Sequence, residues 1–325
     1  MQSKTTNSSI AEICRQLKEA NKVAVFCHTR PDGDALGSGM ALTCALNNAG
    51  KNATMFCDDA VPEKYGFLKK LANVKAELPE DVKFDTFVCV DCADINRIGS
   101  FSTDFVAFKG KKINIDHHVS NKRFADYNCV LECPATCQLL TEIFTKANFK
   151  IDKEIADLLM LGLITDSGNF THSDVTDKTF ETAALLRKCG ADTREINYQM
   201  FSRQTKQRAL LFGKVVNSIR FALDDKLAFI IVPFDFLVKF GVDGSITEGF
   251  VDFPLTIDGV EVAVSLLEVK KRQYKISLRS KGLVNVNTVA SKFGGGGHIL
   301  ASGCMLNGEL EEVIEKITYA VYQNL

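Results

Sequence analysis

The stretch KVAVFCHTRPDGDALGSGMALTCALNNAG, residues 22–50, decides the fold by its order of residue types. Lys22–Cys27 is a short apolar run, the pattern of a strand buried on both faces. Ala35–Asn48 is long and apolar enough for a helix, and Gly50 follows as a stop. Between them, Pro31 and Gly33 make a tight polar turn that carries His28, Asp32 and Asp34. The same alternation continues outward. A helix is expected at Ile10–Glu19, strands at Asn52–Cys57, Asp85–Asp91 and Lys111–Asp116, and helices at Ala135–Lys146 and Lys153–Thr165. Strand–helix alternation predicts an α/β fold with a doubly wound, mostly parallel sheet. Ligands of such sheets gather at the carboxyl ends of the strands.

Further along, polar helical segments are expected at Asp177–Lys188 and Arg194–Val215. Strands at Lys226–Val232, Val260–Val269 and Gln273–Arg279 follow, the last two as a hairpin. A helix at Val286–Phe293, the run Gly294–Gly297 and a final helix at Glu309–Tyr322 complete the chain. A length of 325 residues is too great for one small core. We therefore expect a catalytic domain over 1–190, a helical connector over 191–215 and a smaller C-terminal α/β domain over 216–325. The active site is expected in the cleft between the two domains.

Composition narrows the function. Apolar residues at 46% and charged residues at 24% describe a folded globular chain. The net charge of −1 argues against a protein that tracks along long nucleic acid, whose affinity comes from a basic excess. A nucleic-acid substrate should then be short. The longest apolar runs, such as Leu227–Phe234 and Leu158–Ile164, are too short to span a membrane. The N-terminal MQSKTTNSSI is polar and lacks the apolar segment of a secretion signal, so a cytoplasmic protein without membrane contact is expected. Eleven cysteines without framework spacing then read as reduced, buried small hydrophobes. Cys89–Cys92 and Cys133–Cys137 have knuckle-like spacing, but a zinc ribbon needs two matched knuckles.

The ionisable residues concentrate at element ends. Besides His28, Asp32 and Asp34, Asp91 closes one strand and Asp116-His117-His118 closes the next. Asp166 ends the apolar helix, where a carboxylate meets the negative end of the helix dipole and a nearby cation would relieve the repulsion. Each also has a plain reading: Asp32 or Asp34 as a helix cap, Asp91 and Asp166 as turn residues. With Asp116 and His118 as close companions, two histidines and four aspartates without thiolate favour Mn²⁺ or a comparable divalent ion over structural zinc. They are enough for two metal ions, which together activate a water and clamp both oxygens of a phosphoryl transfer.

Taken in order, these segments resemble the motifs of the DHH phosphoesterase family. HTRPDGDALGS at 28–38 is similar to its first motif, Asp91 to the second, DHHVSN at 116–121 to the third and the Asp166 region to the fourth. SLRS at Ser277–Ser280 and GGGGHILASG at Gly294–Gly303 resemble the DHH-associated domain. The likeness runs from about residue 20 to the end, and the layout resembles the nanoRNase and pAp-phosphatase branch. It implies one ion on His28, Asp32 and Asp91 and another on Asp34, Asp91, His117 and Asp166, with Asp91 bridging. It implies Mn²⁺ as the preferred ion, with Mg²⁺ a substitute. Asp116 would orient His117, and His118, with Asn121 behind it, would lie near the scissile phosphate, so that Asp91, Asp116 and His118 form the catalytic group. Arg97, Asn121, Arg279, Ser280, Gly295, Gly296, Gly297 and His298 would bind substrate. Arg97 also reads as a surface residue, and the glycine run as a hairpin connection or an anion nest.

Two departures from the family pattern stand out. Only Thr136 keeps a hydroxyl in Cys133-Pro134-Ala135-Thr136-Cys137, and Gly168-Asn169-Phe170-Thr171-His172 is poor in aromatics, leaving His172 as a phosphate contact or a solvent-facing ring. The expected substrates are short RNA or DNA oligonucleotides, pApA-type dinucleotides or 3′-phosphoadenosine 5′-phosphate. A homodimer is compatible with the sequence. The competing readings are a RecJ-like single-strand exonuclease, which should carry a basic channel, and a non-catalytic nucleotide-binding regulator. An inorganic pyrophosphatase is disfavoured by the C-terminal glycine signature.

Overall fold

The computed structural model describes residues 7–79 and 81–325, so residues 1–6 of the polar N-terminal stretch lie outside the described part. The chain divides into two compact units between Arg203 and Gln204.

In the first unit a five-stranded sheet is built from β1 (Lys22–Phe26), β2 (Asn52–Phe56), β3 (Thr86–Val90), β4 (Lys111–Asp116) and β5 (Tyr127–Val130). The order is β2-β1-β3-β4-β5, and every pairing is parallel. One face packs under α1 (Ile10–Glu19), α2 (Gly33–Asn48), α4 (Thr136–Ala147) and α5 (Lys153–Asp166). The strands' alternation explains why both faces are apolar: Val23 and Val25 enter that core, whereas Ala24 and Phe26 face the other way. There Phe26, Phe56, Phe87, Phe101 and Phe105 form an aromatic layer closed by the short α3 (Ser102–Ala107). Two further helices, α6 (Asp177–Lys188) and α7 (Thr193–Asn197), finish the unit.

The second unit is a mixed six-stranded sheet. Its strands are β6 (Arg220–Ala222), β7 (Leu227–Val232), β8 (Val262–Lys270), β9 (Gln273–Ser280), β10 (Gly296–Gly297) and β11 (Ala301–Asn307). They lie in the order β10-β11-β9-β8-β7-β6, with β7 and β8 parallel and the other neighbours antiparallel. The helices α10 (Val286–Ser291) and α11 (Leu310–Tyr322) cover one face, and α8 (Lys206–Val216) and α9 (Phe234–Phe240) the other.

One expected element is corrected. Arg194–Val215 is not a single helical segment: α7 passes through one π-helical turn at Tyr198–Ser202 and stops at Arg203, whose backbone is extended. Thr205 then starts α8 afresh, its hydroxyl accepting the Arg208 amide 3.1 Å away. The break between the two units falls at this cap.

No helix among the described residues is long and apolar enough to cross a membrane.

Candidate metal centre

The carboxyl ends of β1, β3 and β4 are adjacent in the sheet, and each delivers its ionisable residues to one place. His28 follows β1. Its Nδ1 donates to the Thr29 carbonyl at 2.8 Å, which turns Nε2 toward Asp32 and Asp91, 3.5 Å from an oxygen of each. Asp32 has both roles considered for it. Its Oδ1 caps α2 through the amides of Asp34 and Ala35, and its Oδ2 faces His28.

Asp91 ends β3 in a left-handed conformation, φ +53°, and is fully buried. One of its oxygens lies 3.5 Å from His28 Nε2 and the other 3.4 Å from His117 Nε2. The second also accepts from the Thr136 hydroxyl at 3.2 Å. His117 mirrors His28: its Nδ1 donates to the Cys133 carbonyl at 2.8 Å, and Nε2 lies 3.3 Å from Asp166. Asp166, the last residue of α5, shares this second group with Asp34. Asp34 is buried, and its two oxygens accept the Thr136 and Cys137 amides at the start of α4, at 2.6 and 2.9 Å.

Close helix packing makes this meeting of α2 and α5 feasible. A Cβ on Gly162 would stand 2.5 Å from Asp34 Oδ1, and one on Gly37 would stand 2.4 Å from the Leu158 carbonyl. Both glycines let the helices approach until their carboxylates share a site.

The charges are strongly interdependent. Burial alone would lower the imidazole of His28, but Asp32 and Asp91 push it up to about 11. His117, opposed in the same way by burial, is pushed up to about 12 by Asp166 and Asp91. Asp91 is raised by burial yet held below the usual carboxylate range by those two rings. Burial pushes Asp34 well up, helped by the charges of Asp91 and Asp166, and burial likewise raises Asp166. Four carboxyl groups therefore surround two imidazoles, and burial opposes charge on Asp34 and Asp166 in particular.

The donor set fits divalent ions. The groups His28/Asp32/Asp91 and Asp34/His117/Asp166 each bring three ligand atoms within 4.8 Å of one another. Asp91 Oδ2 and His117 Nε2 are buried without a hydrogen-bond partner, which is expensive unless something else satisfies them. Both rings are anchored through Nδ1 to backbone carbonyls, which leaves Nε2 as the atom available to an ion.

Asp116 differs from expectation. Its Oδ1 accepts from His118 Nδ1 at 2.8 Å, so it orients His118, while the Cys133 carbonyl orients His117. The Asp116 carboxylate raises His118, against burial, and the ring is half-buried. Asn121 is corrected as well. It is buried, with its amide bonded to Asp116, Asn114 and the Cys92 carbonyl, so it supports Asp116 rather than touching substrate. Arg97 is exposed, and its carbonyl accepts the Thr29 amide at 2.7 Å, which ties its loop to the residue after His28. His172 donates from Nδ1 to the Asp166 carbonyl at 2.8 Å, closing the helix end that carries this residue.

In the second unit the glycine run forms a hairpin. Gly296 and Gly297 pair with Gly303 and Ser302, and a Cβ on Gly295 would stand 2.2 Å from the Gly303 carbonyl. Gly294, Gly296, Gly297 and His298 are exposed. Arg279 is held by Asp252, with Nε 3.1 Å from its carboxylate. Ser280 is removed from the expected contacts: it is buried, and its hydroxyl accepts the Gly282 amide.

Sequence reasoning missed Thr136 and the Cys133 carbonyl as parts of the site. Thr136 was visible as the surviving hydroxyl of its segment, but a backbone carbonyl has no signature in a sequence.

Comparison with known proteins points to a family. A family model described as the DHH family, N-terminal domain, matches residues 22–163, and the DHHA1 domain matches residues 224–323. The chain is 30% identical over 320 residues to the bifunctional oligoribonuclease and PAP phosphatase NrnA of Thermus thermophilus, covering 97% of this chain and 93% of that protein. It is 28% identical to the protein of the same name from Mycoplasma genitalium, covering 96% of this chain and 98% of the other. A crystal structure of an exopolyphosphatase-related protein from Bacteroides fragilis superposes with a TM-score of 0.84 at 27% identity, over 97% of this chain and 95% of that one.

Proposed function

This chain belongs to the DHH family, and on that premise we propose that it is a two-metal phosphoesterase. Its substrates are short oligonucleotides, pApA-type dinucleotides and 3′-phosphoadenosine 5′-phosphate, which it cleaves to nucleoside monophosphates. The observation that carries the reading is Asp91, whose two oxygens face the two ligand groups separately. Full-length similarity to proteins named oligoribonuclease and PAP phosphatase supports the substrate class.

His28, Asp32 and Asp91 would hold one ion, and Asp34, His117, Asp166 and Asp91 the other. Such a pair supplies an activated water and positive charge for the phosphoryl oxygens. Imidazole among carboxylates suits Mn²⁺ better than Mg²⁺, so Mn²⁺ is the preferred ion.

The protein's own groups do the remainder. Asp116 fixes the Nδ1 side of His118 and leaves Nε2 to donate a proton to the leaving oxygen. A ring that the adjacent carboxylate raises keeps that proton available near neutral pH. Thr136 holds Asp91 from one side, so the carboxylate cannot rotate away from both groups. Arg97, Arg279, the backbone at Gly295–Gly297 and His298 would hold the substrate's other phosphates, the guanidinium groups by forked hydrogen bonds.

The test is a substrate panel with purified protein and Mn²⁺: 3′-phosphoadenosine 5′-phosphate, pApA, a 5-mer RNA, a 24-mer and pyrophosphate. Turnover of the first three is expected. Hydrolysis of pyrophosphate alone, or full activity after chelation, would overturn the proposal.

A further inference from the structure

Strand β4 reads Lys111-Lys112-Ile113-Asn114-Ile115-Asp116 and places a fully buried amide in the middle of a parallel sheet. Ile113 and Ile115 enter the apolar core, and Asn114 alternates with them. An apolar side chain would fill that position without the penalty of burying a polar group. The Asn114 amide is instead fully engaged. Its Nδ2 donates to the carbonyls of Cys89 and Cys92, both at 3.3 Å, and its Oδ1 accepts from Asn121 Nδ2 at 2.8 Å. The same Asn121 nitrogen lies 2.6 Å from Asp116 Oδ2, and Asp116 Oδ1 in turn accepts from His118.

We propose that Asn114 is a positioning residue for phosphoester cleavage, tying the turn that carries Asp91 to the Asp116–His118 pair. This rests on the function proposed above. Cys89 and Cys92 bracket Asp91, whose left-handed backbone is an arrangement an aspartate keeps only with support from its surroundings. One end of Asn114 provides that support. The other end, through Asn121, fixes the carboxylate that orients His118. A single side chain thus sets the spacing between the carboxylate shared by the two ligand groups and the imidazole that serves the leaving oxygen. Burial of an amide does not by itself require this. Asn128, the register partner of Asn114 on β5, is equally buried but bonds both backbone groups of Ala125, a purely local purpose.

That neighbour supplies the control. Asn114→Leu keeps the branched shape in a somewhat larger side chain, and it leaves Asn121 with the Cys92 carbonyl and Asp116 for its two N–H groups, so no donor is orphaned. With pApA and Mn²⁺ we expect kcat to fall about tenfold or more, since small displacements of reacting groups carry losses of this size. KM and bound metal should stay within about twofold of the parent, inside the context scatter of one weak contact. Asn128→Leu should lower Tm without lowering kcat. If Asn114→Leu fails to fold, Asn114→Thr replaces it.

A second readout needs no turnover. In metal-free protein the proton between His118 Nδ1 and Asp116 should give a downfield NMR resonance that shifts or broadens in the Asn114 variant and not in Asn128→Leu. Parent-like kcat with an unmoved resonance overturns the proposal. So does a rate loss that tracks metal loss, or one matched by Asn128→Leu. A parent protein inactive on every substrate, with the resonance still moved by Asn114→Leu, overturns the phosphoesterase reading and leaves the positioning network standing.

Discussion

Replacing Asp91 with Asn is the sharpest test of the metal centre, because it removes one charge and almost nothing else. Asn tolerates a φ near +53° as readily as Asp, so the end of β3 should keep its shape. The carboxylate is fully buried, with an oxygen 3.4 Å from His117 Nε2 and the other 3.5 Å from His28 Nε2. A unit charge about 4 Å away, at an effective dielectric of about 20, contributes about 4 kcal/mol. If that stabilisation is withdrawn from the ions as the transition state forms, the rate should fall about a thousandfold. The loss should appear in kcat more than in KM, since Asp91 faces the metal ligands and not the body of the substrate. Steady-state kinetics on pApA at saturating Mn²⁺, with metal content measured by atomic emission, provide the readout. A variant that keeps both ions and stays within about tenfold of the parent rate (roughly 1.4 kcal/mol in barrier) would show that Asp91 only ends its strand.

Mn²⁺ binding to metal-free protein near pH 8 should release about two protons. The reason is that His28 and His117, pushed up to about 11 and 12, must each give up the Nε2 proton. Calorimetry in two buffers of different ionisation enthalpy measures this, and zero release would show that both rings are already neutral before metal binds. Apparent Mn²⁺ affinity should accordingly rise with pH through the neutral range. His298→Ala and Arg279→Ala should raise KM for pApA several-fold, as loss of a charge-assisted phosphate contact does, with metal content unchanged. Parent-like KM in both would leave the glycine hairpin a connection only. Catalytic efficiency should peak between dinucleotides and about pentamers and depend weakly on salt, because a chain of net charge −1 steers long polyanions poorly. A 24-mer that proves the better substrate, with a steep salt slope, would favour a RecJ-like exonuclease.

The first unit was legible where the chain is locally consistent. The helix at Ile10–Glu19 and the strand Lys111–Asp116 fall where expected, because apolar runs bounded by turn residues leave few alternatives. The candidate ligands were legible for a related reason. An ionisable residue that closes an apolar strand has no packing role, so His28, Asp91 and His117 stood out against their own segments. Strands β5 and β11 did not. β5 covers only Tyr127–Val130, and β11 carries Gly303 and Asn307 among its seven residues, so neither shows a strand period. The start of α8 was hidden within a run of polar residues, where only the Thr205 cap marks the break.

What the sequence concealed at the site is how each imidazole is aimed. Asp116 directly precedes His117, and the family resemblance implied that it orients that ring. Successive residues leaving a strand point in different directions, so the carboxylate reaches the ring two positions on, His118, instead. His117 is steered by a carbonyl sixteen residues away, at Cys133. The segment around Cys133-Pro134-Ala135-Thr136-Cys137 lost the hydroxyl-rich character expected of it, yet its backbone does most of its work. It orients His117, donates two amides to Asp34 and leaves Thr136 to hold Asp91. Ala135, Thr136 and Cys137 are fully buried there, and the Cys137 sulfur packs against Gly37 and Gly162, so the turn into α4 depends on small side chains as well as on the hydroxyl at position 136.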